Sequence, residues 1–114
     1  MDSALDTNRH RMVQLLKELT TREGLLPSRL EGVLLARADR SHGRMAILYE
    51  PNIYIVANGS KNGYVGQRRF VYDSNHYLIL SIPLPFDCET TLANGDPMLG
   101  VSVRVDFRRL VNYR

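Results

Sequence analysis

The chain has 114 residues, enough for one hydrophobic core and too few for two. Apolar residues make up 44% and charged residues 24%, the balance of a soluble globular domain, and the lone Cys88 excludes an internal disulfide and fits a reducing cytosol. A net charge of +3 is too mild to give this chain a DNA-binding surface of its own, and charges spread through the N-terminal segment argue against a signal peptide or a membrane span.

From Leu5 to Leu19, Met12, Leu15, Leu16 and Leu19 recur at helical spacing, with Thr7 or Asn8 available as a cap and Gly24 just past the end. An amphipathic helix with this stripe is expected to lie across the sheet of its own domain, the alternative being a dimer contact. Leu25 to Arg29 carries Pro27 and reads as a connector, and Gly32 to Arg37 as a first strand. Met45 to Tyr49 and Ile53 to Ala57 are strands around the turn Glu50-Pro51-Asn52; both are apolar on both faces and are expected at the centre of the fold. Asn58-Gly59 and Asn62-Gly63 are turn dipeptides, which makes Asn58 to Gly63 the tip of a hairpin.

Tyr64-Val65 and Arg69 to Tyr72 continue the strands on either side of Gly66-Gln67, and Asp73 to His76 is a turn. Tyr77 to Ile82 is the most apolar run in the chain, stopped by Pro83 and Pro85; Phe86 to Leu92 alternates. Asn94-Gly95-Asp96-Pro97 is the clearest turn. Beyond it Leu99, Val101, Val103 and Val105 alternate with Gly100, Ser102, Arg104 and Asp106, so one face is expected to be wet. Phe107, Leu110 and Val111 behind an Asp106 cap begin a helix that the chain end cuts short, as in a piece of a longer protein. The segmentation is therefore a helix over 1–24, a β-barrel over 25–106 and the start of a helix over 107–114. The fold class is mainly β, a small cupin-like double-stranded β-helix or jelly-roll barrel.

Two polar clusters stand out. Arg40 and Arg44 present guanidinium forks, which pair bidentately with phosphate and with the O6/N7 edge of guanine; Asn58 and Ser60 add short donors and acceptors, and Gly63 allows close backbone approach. Thirteen arginines against two lysines favour such planar recognition over generic charge. Arg40-x-x-x-Arg44 followed by Asn58-x-Ser60-x-x-Gly63 resembles the RxxxR and [D/N]xSxxG signature of PilZ domains, which bind cyclic di-GMP. Separately, DSNHYLILSIPLPFDCET and DPMLGVSVRVDF are similar to the N-terminal domain of a group of AraC-type transcription regulators, over about Leu30 to Phe107. That resemblance implies a cupin-like effector domain joined, in the full-length protein, to a helical linker and a DNA-binding domain with two helix-turn-helix units. Together the two point to cyclic di-GMP-responsive AraC-type activators of exopolysaccharide genes.

By carry-over, Arg40 and Arg44 would hold phosphate and guanine, while Asn58, Ser60 and Gly63 would cradle a guanine and its phosphate. Arg9, Arg11 and Arg37 are additional basic candidates nearby. The expected partners are cyclic di-GMP, promoter DNA through the other domain, and a second copy in a homodimer; no resident cofactor, no membrane and a cytoplasmic location are expected. Enzyme activity is not expected, since His10, His42 and His76 are far apart and no His-x-His occurs. The alternative is a pocket inside the barrel for a sugar or small aldehyde, with Tyr54, Ser81 and Ser102 as lining and Cys88 as a reactive group, although Asp87 and Glu89 disfavour its thiolate.

Overall fold

A computed structural model describes residues 4–106. Helix α1 (Ala4–Leu19) is followed by nine strands: β1 (Gly24–Pro27), β2 (Val33–Ala38), β3 (His42–Tyr49), β4 (Asn52–Asn58), β5 (Ser60–Val65), β6 (Arg68–Asp73), β7 (Leu78–Leu80), β8 (Leu84–Thr91) and β9 (Met98–Arg104). They form a five-stranded sheet in the order β1-β2-β9-β4-β7 and a four-stranded sheet in the order β3-β8-β5-β6, with every pairing antiparallel. The two sheets face each other as a small jelly-roll-like barrel, the mainly-β class that the many short strands imply. The segment 107–114, where a further helix is expected, lies outside the described residues.

Between the sheets an aromatic cluster fills the core. Tyr49 stacks on Tyr54 with centroids 5.5 Å apart, Phe86 meets Tyr49 edge-on at 5.2 Å, and Tyr72 meets Tyr54 edge-on at 5.5 Å. A second cluster sits outside the five-stranded sheet, where Val13 and Leu16 of α1 pack on Leu35, Ala57 and Leu99. The helix thus packs on the domain's own sheet, through Val13 and Leu16 rather than through Leu15 and Leu19, which remain exposed. Leu99 is wholly buried there, worth about 1.5 to 3 kcal/mol by area.

That helix explains a correction. The sequence pattern makes the Gly100 and Ser102 face of β9 the wet one, yet β9 is interior to its sheet and buried on both sides. Its Leu99 and Val101 side is roofed by α1, and its Met98, Gly100 and Ser102 side faces the barrel interior. A second correction concerns β3, which runs along a sheet edge with Arg44, Met45 and Leu48 exposed; only β4 is central. Leu25 and Leu26 pair with β2 as a short edge strand rather than a plain connector, and Pro27 ends that strand on the open edge, where its missing N–H costs nothing.

The third correction bears on the site. Asn58 to Gly63 is not a hairpin tip: β4 and β5 belong to different sheets, and the chain changes sheet at Gly59. Gly59 has φ +84°, and an added Cβ would stand 2.7 Å from the Thr91 carbonyl oxygen, so this corner requires glycine. Asn62-Gly63 lies within β5, and the hairpin is the next connection, with Val65 opposite Arg68 across Gly66-Gln67.

Candidate functional site

Strand β5 alternates cleanly. Lys61 and Gly63 point into the barrel, while Ser60, Asn62 and Tyr64 lie on the outer face of the four-stranded sheet. Across β8, β3 brings the arginines to the same face. His42 and Lys61 both pair with Thr90, and Ser60 pairs with Thr91, so the start of β3 and the start of β5 flank the end of β8. The bend before β3 is held to this end by Ser41, whose hydroxyl accepts the Leu92 N–H at 3.4 Å, and Arg40 is exposed on that bend.

Arg44 reaches β5 directly. Its guanidinium carbon sits 3.9 Å from the centroid of the Tyr64 ring, and one of its nitrogens is 3.4 Å from Asp87 Oδ2. Half of the Arg44 side chain stays exposed, so this cation–π contact contributes about 0.5 to 1 kcal/mol and leaves donors free to meet a ligand. The Tyr64 hydroxyl donates to Glu89 Oε1 at 2.5 Å, and Asn62 Nδ2 donates to the same oxygen at 3.4 Å. Donation to that carboxylate raises the Tyr64 pKa. The outer face therefore carries a guanidinium stacked on a phenol ring, two carboxylates with accepting capacity, and Ser60 in line with them.

Two of the five expected residues do other work. Asn58 is buried, and its Nδ2 donates to the carbonyls of Ala93 and Pro97 at 2.9 Å each while its Oδ1 accepts from Asn94 Nδ2 at 3.2 Å. It pins the turn between β8 and β9. Gly63 faces inward, where an added Cβ would fall within the Phe70 ring, so its bareness admits Phe70 to the core. The structure thus places Arg44 and Ser60 on the outer face of the four-stranded sheet, leaves Arg40 on the exposed bend before β3 within electrostatic reach of Glu23, and turns Asn58 and Gly63 inward.

Among the other basic candidates, Arg37 is committed: Nη1 donates to the Thr20 carbonyl at 2.9 Å, just past the end of α1, and Nε pairs with Asp39 at 2.8 Å. Arg9 and Arg11 lie on α1, Arg9 beside His10.

A separate cavity of about 430 Å³ lies between the sheets, within the size range of small-molecule sites. It opens between the edge strands β1 and β3 and is walled by apolar residues including Leu25, Ala36, Ile47, Tyr49, Tyr54 and Met98. Tyr54 lines it, whereas Ser102 and Ser81 border two other depressions, so the three residues expected together are dispersed. Lys61 projects into this cavity, a residue that the hairpin reading of NGSKNG conceals; the strand alternation of Lys61 with Ser60 and Asn62 is the signal that reveals it. Its Nζ donates to Thr90 Oγ1 at 3.0 Å and lies 3.7 Å from Cys88 Sγ. The Cys88 thiol is also 3.3 Å from the Tyr72 hydroxyl. Burial raises the pKa of Tyr49, Tyr54 and Tyr72, so these phenols stay neutral.

Among the described residues, no group of three or more His, Cys, Asp or Glu gathers as a metal site, and no helix is long and apolar enough to cross a membrane. No curated protein and no solved structure matches the chain. A family model does match: residues 29–113 fit the AraC-type transcriptional regulator N-terminus, a span that takes in all the strands from β2 to β9 and the outer-face residues, while β1 and the part of the cavity wall it supplies precede it. The chain belongs to this family, as the N-terminal domain of an AraC-type transcriptional regulator.

Proposed function

We propose that this domain is the sensor of an AraC-type activator of exopolysaccharide genes, and that it binds cyclic di-GMP on the outer face of the four-stranded sheet. The observation that carries this reading is the Arg44 guanidinium held 3.9 Å over the Tyr64 ring, beside exposed hydrogen-bonding groups. A guanine base fits such a surface by stacking, because every base has a π-face that an arginine plane or an aromatic ring can cover. The carboxylates of Asp87 and Glu89 suit the exocyclic amino group of guanine, a donor. They repel phosphate, which directs the phosphates toward Arg40 and Ser60 at the end of β8. Asn58 and Gly63 act indirectly, by shaping the corner and the core beneath β5.

In the full-length protein, occupancy reaches promoter DNA through the DNA-binding domain, in a homodimer, in the cytoplasm. For this to work, cyclic di-GMP must have different affinity for the active and inactive arrangements. Calorimetric titration of the chain with cyclic di-GMP, GTP and the linear dinucleotide tests the reading. Saturable binding of the cyclic compound, weakened about tenfold or more by Arg44→Ala and by Arg40→Ala, is expected from the loss of a bidentate contact of ~1 to 3 kcal/mol. Unchanged titration curves in both variants remove the arginines from the site.

A further inference from the structure

We propose that Lys61 and Cys88 form a modification site, at which hydrogen peroxide joins the two side chains through a sulfur–nitrogen bond. The site lies on the inner face of β5, away from the cyclic di-GMP surface, and stands or falls independently of that reading.

Strand register brings the pair together. β5 and β8 run antiparallel with Lys61 opposite Thr90 and Gly63 opposite Cys88, so Lys61 and Cys88 are diagonal neighbours on one face of the sheet. A diagonal is too wide for two short side chains, but a lysine spans it. The Lys61 Nζ lies 3.7 Å from the Cys88 Sγ and donates to Thr90 Oγ1 at 3.0 Å. Asp87 and Glu89, which flank Cys88 in sequence, turn to the outer face, where they meet Arg44 and Tyr64. The charged group that the thiol faces is therefore the Lys61 ammonium, and a cationic neighbour is a hallmark of reactive cysteines. Cys88 is itself buried, but Lys61 and Thr90 line the open cavity, which gives a small neutral oxidant a route to within one side chain of the sulfur.

Burial also favours the linked state. Lys61 is 9% exposed, and among the described residues no carboxylate lies within ion-pairing distance of it. Withdrawing an ammonium from water is costly unless a counter-charge replaces the hydration, and a sulfenamide nitrogen, being neutral, removes that cost.

The chemistry takes two steps. The thiol first accepts one oxygen from peroxide: the O–O bond breaks, sulfur is oxidised by two electrons, and the products are a sulfenic acid and water. The Lys61 ammonium then gives one proton to solvent through the cavity mouth, and the amine attacks the sulfur. An S–N bond forms as the S–O bond breaks, and the hydroxyl leaves with an amine proton as a second water. A sulfenic acid condenses with a thiol or with a nitrogen, and Cys88 is the chain's one cysteine, which leaves the nitrogen. Lys17, the other lysine, is engaged with Asp96 at 2.9 Å. Two equivalents of a thiol reductant restore the thiol and the amine and become a disulfide.

Peroxide treatment of the 114-residue chain, followed by digestion and mass mapping, tests the proposal. The main product of Cys88 is expected to be a linked peptide pair carrying Lys61 and Cys88, lighter by two hydrogens than the two peptides apart and separated again by dithiothreitol. The linked chain is expected to melt above the reduced one. Cys88→Ser and Lys61→Met abolish the link. Lys61→Arg keeps the charge but offers a poor nucleophile, so it too abolishes the link and lets Cys88 pass on to sulfinic acid. In the wild type, a Cys88 that stays reduced, or that reaches sulfinic acid while Lys61 remains free, overturns the proposal. So does a link that forms equally well in the urea-unfolded chain, since the folded geometry then has no part in it. These readouts use the wild-type sequence and decide the matter even where a variant fails to fold.

Discussion

A methyl group placed at Gly63 drives into the Phe70 ring. The added carbon meets three ring atoms, the farthest at 2.9 Å, where unstrained carbon contacts stand at roughly 3.5 to 4.0 Å. The backbone at Gly63 is ordinary strand, so the whole effect comes from overlap with the ring. Overpacking of this kind costs about 1 to 3 kcal/mol. For a domain of this size, each kcal/mol lowers Tm by roughly 4 to 8 °C. Gly63→Ala is therefore expected to melt well below wild type in a calorimetric scan, with a matching drop in the denaturant midpoint. Phe70→Leu vacates part of the space, so Gly63→Ala/Phe70→Leu is expected to be more stable than the sum of the two single changes. This double variant should also bind cyclic di-GMP like the wild type, because neither residue lies on the outer face. A Gly63→Ala protein with unaltered Tm refutes the packing argument. A stable double variant that has lost cyclic di-GMP returns Gly63 to the ligand.

Asn58→Asp is expected to destabilise more than Asn58→Ala in chemical denaturation, since a carboxylate there faces the carbonyls of Ala93 and Pro97 and has no proton to give them; Asn58→Ala itself costs about 1 to 3 kcal/mol for the buried groups left unpaired. Lys61→Met is expected to raise the denaturation midpoint of the ligand-free chain, by about 1 kcal/mol or more, because it removes a buried charge that lacks a counter-charge. Arg37→Ala is expected to loosen the end of α1, seen as faster amide hydrogen exchange in the helix, with no change in cyclic di-GMP affinity. The Asp39 N–H bond to Glu23 holds this carboxyl below its ordinary pKa, so its contribution is present above about pH 4.3 and is lost as pH falls through the depressed value. Glu23→Gln is expected to flatten that part of the acid unfolding curve.

Much of the fold was legible because its signals are local. Asn94-Gly95 supplies positive φ at two successive residues, and Gly66-Gln67 closes a two-residue hairpin; both are turn chemistry readable from side-chain type. The pairing of Asn58-Gly59 with Asn62-Gly63 misled for the same reason. The first dipeptide does turn the chain, but from one sheet to the other, and the second is straightened by pairing with β8 and β6. Nothing local distinguishes a sheet-switching corner from a hairpin, since the difference lies in which distant strand waits on the far side. The candidate site was legible to the same extent. Arg44 and Ser60 do share the outer face, whereas Tyr64 and Lys61 emerge only once β5 is known to be a strand with an inside and an outside. Gly63 illustrates the limit, as a bare position serves a ring approaching from within as readily as a ligand from without.

That β5 is one residue thick has a genetic corollary. Inserting a single residue between Gly59 and Ser60 would rotate the strand by half a turn, carrying Lys61 into water and the Tyr64 phenol into the core. Both chemistries vanish in that one event, and no compensating substitution at either face restores the other. Gly59, the whole of the segment joining β4 to β5, is accordingly fixed in length as well as in identity.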